Sequence, residues 1–265
     1  MIALLSGRRP EALLPSPSRG TEMAQPKQKP LYLLKRLASL TQAQFTDHWL
    51  NVHAALLRSI PEWSRLRSGY VQNHLIGSGL IGDWTFPYDG VTQVFVRPGT
   101  EGGPAFPQLP VFHDKVVPDE LSFLDRERVI VLKTLEHIVL PGSAAVKVIV
   151  FHRRYPGTTL ESFIEHWQGA HKDRLLEQVD FTQEIRGYRQ NPLIAGESRY
   201  LSGEPLEASE DFDGASEFWF DTVNAAVTAF ASRGFKVAIR DDPTGHFSIR
   251  REYACLVNPV IILPE

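Results

Sequence analysis

Phe45-Thr46-Asp47-His48-Trp49-Leu50-Asn51-Val52-His53 returns later in the chain as Phe163-Ile164-Glu165-His166-Trp167-Gln168-Gly169-Ala170-His171. Phe45 and Phe163, His48 and His166, Trp49 and Trp167, and His53 and His171 are each 118 residues apart. The same ungapped offset carries Arg36 onto Arg154, Gly69-Tyr70 onto Gly187-Tyr188, and Gln72-Asn73 onto Gln190-Asn191. A register anchored by Trp, His and Tyr over this length marks an internal duplication, and a repeat decides the architecture before any single element does.

The elements around the repeat follow the same order in both halves. Leu31–Lys35 is a short apolar run of strand length, and Thr41 is a candidate cap for the helix carrying the first repeat. At 100° per residue, Phe45, Trp49, Val52 and Leu56 make one apolar stripe, with His48 and His53 on opposite edges. Gly69–His74, Val91–Val96 and Val129–Val139 read as further strands, and the proline- and glycine-rich stretch 97–118 permits only a short or broken second helix. In the second half the pattern predicts strands at Val146–Arg153, Ile185–Leu193, Ala215–Phe220 and Glu252–Leu263. It predicts helices at Thr158–Gln178 and Asp221–Ser232, the latter capped by Asp221. Each half is therefore β-α-β-β-α-β, the split βαβ order of ferredoxin-like units. The expected class is α+β: two tandem ferredoxin-like βαββαβ units forming an intramolecular version of a dimeric α/β barrel. The first strand of each half is apolar on both faces, so it needs helices on one side and the sister sheet on the other. The expected units span residues 30–140 and 144–265, joined by Pro141-Gly142-Ser143. Residues 1–29 read as a disordered tail, with Met23 as a second plausible amino terminus.

Composition narrows the function classes. Hydrophobic residues at 43% and charged residues at 22% are those of a globular chain, and a net charge of −3 leaves no basic footprint for nucleic acid. No apolar run is long enough for a membrane span. The lone Cys255 points to a reducing, cytoplasmic setting and to a buried small hydrophobe.

The motifs Phe-x-x-His-Trp-x-x-x-His, Gly-Tyr-x-Gln-Asn and Asp-Gly-x-x-Glu-x-Trp-Phe resemble the EthD domain family of the dimeric α/β barrel superfamily. Residues 163–171, 187–191 and 213–220 carry the pattern in the second half, and 45–53 and 69–74 carry it in the first. Gln93 stands where the second half has Glu217, and Glu136-His137 resembles a closing Glu-His that the second half replaces with Asn258-Pro259. The resemblance implies a small-molecule pocket between the sheet and helices of each unit. It also implies cofactor-free dehydratase, cyclase or decarboxylase chemistry on polyphenolic or polyketide-like compounds, or an accessory role in oxidative degradation.

Read as chemistry, His48 and His166 are candidate proton donors and acceptors near neutral pH, against the plainer reading of helix histidines bonded to backbone carbonyls. Tyr70 and Tyr188 are candidate donors to a developing oxyanion, and Glu217, on a strand between apolar neighbours, is a candidate acid or base. The plainer reading of Glu217 is a salt bridge to a strand arginine such as Arg154. Candidate ligand contacts are His53, His171, Asn73, His74, Asn191, Trp84, Phe86, Gln93, Arg36 and Arg154, with Asn191 read as a turn residue because Pro192 follows. The i, i+5 spacing of His48 and His53 is not that of a helical metal pair, and no metal or other cofactor is expected. The expected partner is a small aromatic molecule, with neither nucleic acid nor membrane, and with a homodimer of the internal pseudo-dimer left open. The leading expectation is a cofactor-independent lyase or cyclase; a non-catalytic carrier and a haem-binding barrel are the alternatives.

Overall fold

The structure is a computed structural model, and it describes residues 27–77, 81, 84–100, 103–207, 211–240 and 253–264. Along the first half run β1 (Lys27–Gln28), β2 (Leu31–Leu34), α1 (Gln42–Asp47), a π-helical turn (His48–His53), α2 (Ala54–Arg58) and α3 (Pro61–Leu66). They are followed by β3 (Arg67–Gly77), β4 (Gly90–Val96), a second π-helical turn (Phe112–Val116), α4 (Val117–Phe123) and β5 (Ile130–Leu140). The second half holds β6 (Val146–His152), α5 (Leu160–His166), a π-helical turn (Trp167–His171), α6 (Lys172–Leu176) and α7 (Val179–Thr182). It ends with β7 (Gly187–Tyr200), β8 (Gly214–Phe220), α8 (Val223–Ala231), α9 (Arg233–Arg240) and β9 (Tyr253–Leu263). The tail expected over 1–29 falls outside the described residues up to 26. Its last three residues belong to the fold: β1 pairs with β5, and Lys29 is fully buried.

The strands run β5-β2-β4-β3-β9-β6-β8-β7, and β7 returns to β5, so β2 to β9 close an antiparallel barrel of mixed α+β architecture. The order β5-β2-β4-β3 in one half is matched element for element by β9-β6-β8-β7 in the other. The two sheets are thus joined edge to edge through β3–β9 and β5–β7, which leaves none of the eight barrel strands with an open edge. Alternation along each strand divides the core. Leu31, Leu33, Val91, Ile130, Ile149, Phe151 and Val257 point inward and fill one end of the barrel. Tyr70, Val94, Val148, Tyr188 and Phe218 point outward, beneath the helices.

Inside the barrel the sequence also buries charge. Lys29 bonds Glu136 at 2.8 Å and also bonds Glu217; Lys147 bonds Glu217 at 2.9 Å and Gln93 at 2.7 Å. Burial would raise the Glu217 carboxyl, yet Lys147 and Lys29 hold it well below the usual range. Lys147 is pulled down by burial to about 8, with Glu217 pulling the other way. Lys29 and Lys147 stand 118 residues apart, so this network sits astride the two repeats.

The repeat helix departs from the expected wheel, and the π-helical turn is the reason. Thr41 caps α1 in a reciprocal box with Gln44. Beyond Asp47 the turn widens, and burial then falls on Phe45, Trp49, His53 and Leu57, four apart each time, while Val52 is 48% exposed. The second copy repeats this with Phe163, Trp167, His171 and Leu175. Widening leaves the Trp49 carbonyl to accept from the Ala54 amide and from Gln72 Nε2 at 2.8 Å. Gln190 does the same for Trp167 at 2.9 Å. Each Trp ring then lies over a glycine: a Cβ on Gly90 would come within 2.7 Å of the Trp49 ring, and one on Gly214 within 2.8 Å of Trp167. Thr222, rather than Asp221, caps α8 by accepting from the Ala225 amide.

Candidate active site

Between the outward face of β2, β3 and β4 and the helices of the first half lies a partly enclosed chamber of about 70 Å³. A single buried water needs roughly 10–15 Å³ and a benzene ring has been held in a cavity of about 150 Å³. The chamber therefore admits the reacting end of a ligand. Trp49, Trp63, Phe106 and Phe112 give it apolar walls, and His53, Glu120, Arg67, Tyr70 and Tyr32 supply its polar groups.

Two short elements place the acid–base groups. The π-helical turn rotates His53 onto the buried side, where it is 6% exposed. Across from it, Pro118, Asp119 and Glu120 come directly after the second π-helical turn, in the first residues of α4. Asp119 Oδ2 lies 2.7 Å from His53 Nδ1, and Oδ1 lies 2.9 Å from His48 Nε2. One carboxylate therefore orients both repeat histidines of this half, which the π-helical turn brings to the same side. With Nδ1–H donating to Asp119, neutral His53 keeps Nε2 as an acceptor. Burial works against the Asp119 charge, but hydrogen bonds from His53 and His48 outweigh it and hold the carboxyl below its usual value. Glu120, 8% exposed, behaves in the opposite way: burial pushes it up to about 7, with Arg126 at 3.4 Å too weak to offset this. Tyr70 is pushed up to about 12 by burial and stays a phenol.

The second half has the same frame with the chamber filled. Its counterpart cavity measures about 10 Å³, between Trp84, His152, His171 and Phe235. Phe181, Phe230 and Phe235 stack into the volume, and Trp84 meets Phe230 and Phe235 edge-on at 5.9 and 5.8 Å. The repeat register sets Ile185 against Arg67 and Val150 against Tyr32, so charge is missing as well as space. Each half also covers the other. Leu201, from the second half, lines the first chamber, and Trp84, from the first, closes the second.

The remaining sequence candidates divide by location. His48 is half-exposed on the outer side of Asp119, and His166 faces His171 with ring centroids 6.1 Å apart. Tyr188 is stacked on Phe218, its hydroxyl accepting from Gln190 at 2.8 Å. His74 packs on Trp49 at 4.5 Å, and burial lowers it to about 4. Asn73 donates to the Val91 carbonyl at 2.9 Å. Asn191 lies within β7, not in a turn, donating to Ala215 O at 3.0 Å and Glu217 at 2.8 Å. Glu217 and Gln93 belong to the ion network inside the barrel, away from the chamber, and the partners of Glu217 are Lys29 and Lys147 rather than Arg154. Arg36 and Arg154 pair with Asp89 and Asp213, one matched lock in each half. Phe86 stacks on Phe151 inside the barrel mouth. Asp119, Glu120, Arg67 and Tyr32 were not anticipated. The run Pro118-Asp119-Glu120 has the composition of a helix start, but the helix already runs through Phe112–Val116, and the burial that tunes Glu120 comes from tertiary packing.

Among the described residues there is no grouping of three or more His, Cys, Asp or Glu able to hold a metal ion, and no helix long and apolar enough to cross a membrane. No curated protein sequence matches the chain. A solved structure of a provisionally assigned monooxygenase from Fusobacterium nucleatum subsp. nucleatum aligns with a TM-score of 0.52, at 6% identity over 90% of this chain and 95% of its own. A provisionally assigned monooxygenase from Lactobacillus acidophilus NCFM aligns at 10% identity over 89% and 96%, with a TM-score of 0.46. A provisionally assigned chlorite dismutase aligns at 11% over 89% and 95%, with a TM-score of 0.49. At such identities the first likeness is one of fold alone. The EthD domain family matches residues 37–127 and again 155–248, covering both copies of the repeat, and the chain belongs to that family.

Proposed function

We propose that the chain is a cofactor-independent lyase or cyclase that moves protons on a small hydroxylated aromatic or polyketide-like molecule, and that the first-half chamber is its working site. The observation that carries this reading is the pairing of an Asp119-oriented imidazole, His53, with a carboxyl near 7, Glu120, on the walls of one chamber. An imidazole with its acceptor nitrogen left free and a carboxyl that holds its proton to about 7 suit an acid–base pair. In a dehydration, His53 Nε2 takes a proton from carbon, the C–O electron pair leaves with the hydroxyl, and protonated Glu120 supplies the proton that makes it water. In a decarboxylation, His53 Nε2 takes the proton of a ring hydroxyl as Glu120 protonates the ring carbon bearing the carboxylate. That carbon–carboxylate bond then breaks, carbon dioxide leaves, its bonding pair passes through the ring onto the oxygen as an enolate, and His53 returns the proton. The Tyr70 phenol can donate to the enolate oxygen formed in either case.

The same reading takes each half as one ferredoxin-like unit, residues 30–140 and 144–265 with β1 added to the first. The second unit acts as scaffold, its own chamber packed with aromatic rings and its loop lending Leu201. Incubation with a panel of polyhydroxylated aromatic acids, followed by mass spectrometry for loss of water or of carbon dioxide, tests the proposal. Product from the wild type and none from His53→Gln supports it. Affinity without product would favour a carrier of an aromatic intermediate.

A further inference from the structure

Among the described residues, Arg67 is a buried cation without a counter-charge. It is 9% exposed and lines the chamber, and its hydrogen bond to the Leu66 carbonyl is long at 3.3 Å. Its Nε is buried with no partner, and among the described residues no carboxylate pairs with it. The guanidinium lies 5.8 Å from the Phe106 ring centroid, and burial draws it below its ordinary value of 12.5. An unpaired buried charge opposes folding, so a structure that keeps one has left part of its pairing to something else. The fold itself does not require the charge, because the second half holds buried Ile185 at the matching place.

We infer that Arg67 is the anchor for a ligand carboxylate: the chamber takes a small organic monoanion, with its carboxylate on the guanidinium and its apolar body against Trp63, Phe106 and Phe112. This rests on the site proposed above for its location, while the binding it requires is independent of turnover. The planar guanidinium fork presents two parallel N–H donors, which a carboxylate matches and an amide does not. Glu120 is the other carboxyl on the chamber wall. Below about 7 it is largely uncharged and offers Arg67 no counter-ion.

The test is calorimetric titration of the full-length chain at about pH 6 with acetate, butyrate and benzoate, each against its amide. Wild type and Glu120→Gln should bind at least one carboxylate roughly ten- to a hundredfold more tightly than its amide. Arg67→Met should lose that preference while keeping its circular dichroism; if that variant does not fold, Arg67→Ile, the second half's own residue, takes its place. Equal binding of carboxylate and amide by wild type, no carboxylate binding at all, or a preference that survives loss of Arg67 would overturn the inference. So would a preference confined to Glu120→Gln, which would make Glu120 the counter-ion of Arg67. Because no product is read, an inactive enzyme would leave this result standing, and a lost carboxylate preference would leave the His53 chemistry standing.

Discussion

Glu120→Gln should change how stability depends on pH, by an amount that follows from the burial of the carboxyl. The group moves from an ordinary 4.5 to about 7 because its surroundings disfavour the charge. At ~1.4 kcal/mol for each tenfold change in proton affinity, that amounts to roughly 3 kcal/mol. The sign follows from where the protons sit. Between 4.5 and about 7 the unfolded chain has released the proton that the folded chain still holds, so raising the pH favours unfolding across this window. Above about 7 both states are ionised and the loss is complete. Urea unfolding of wild type and Glu120→Gln at several pH values through the window reads this directly. Groups common to both proteins cancel in the comparison. The variant should gain on wild type by up to roughly 3 kcal/mol as the pH rises. Parallel curves would mean that Glu120 is not held neutral, and its role as acid would fall with that result.

Three further outcomes follow from the packing. Glu217→Gln leaves Lys29 and Lys147 buried without their shared carboxylate and should cost roughly 3–5 kcal/mol, measured by denaturant titration. Gly90→Ala drives a methyl into the Trp49 ring and should cost about 1–3 kcal/mol, visible as a lowered denaturant midpoint. His48→Gln removes one of two imidazoles on Asp119 while leaving His53 in place, so in a turnover assay it should be milder than His53→Gln. A variant at His48 as damaging as one at His53 would place the proton transfer on the wrong imidazole.

The architecture was legible because duplication wrote it twice. Two strands apolar on both faces, each followed by the same helix, require a sister sheet, and the barrel supplies it through seams at β3–β9 and β5–β7. The site was legible only in part. A wheel of fixed pitch sends Val52 inward and sets His48 and His53 apart, and one widened turn reverses both. Asn191 followed by Pro192 suggests a turn, but the amide finds Glu217 within the sheet. Glu217 looked catalytic because a carboxylate between apolar residues has few harmless explanations. Its partners, Lys29 and Lys147, lie far away in sequence, and Lys29 lies in a stretch whose composition is that of a disordered tail. Arg67 and Glu120 gain their character from burial alone, which no local pattern announces.

The most direct test of the central claim compares His53→Gln with its repeat counterpart His171→Gln in the turnover assay. The open, charged chamber of the first half and the filled chamber of the second predict that His53→Gln loses roughly a hundred- to ten-thousandfold in rate while His171→Gln stays near wild type. Equal losses at the two positions, or a loss at His171 alone, would contradict it.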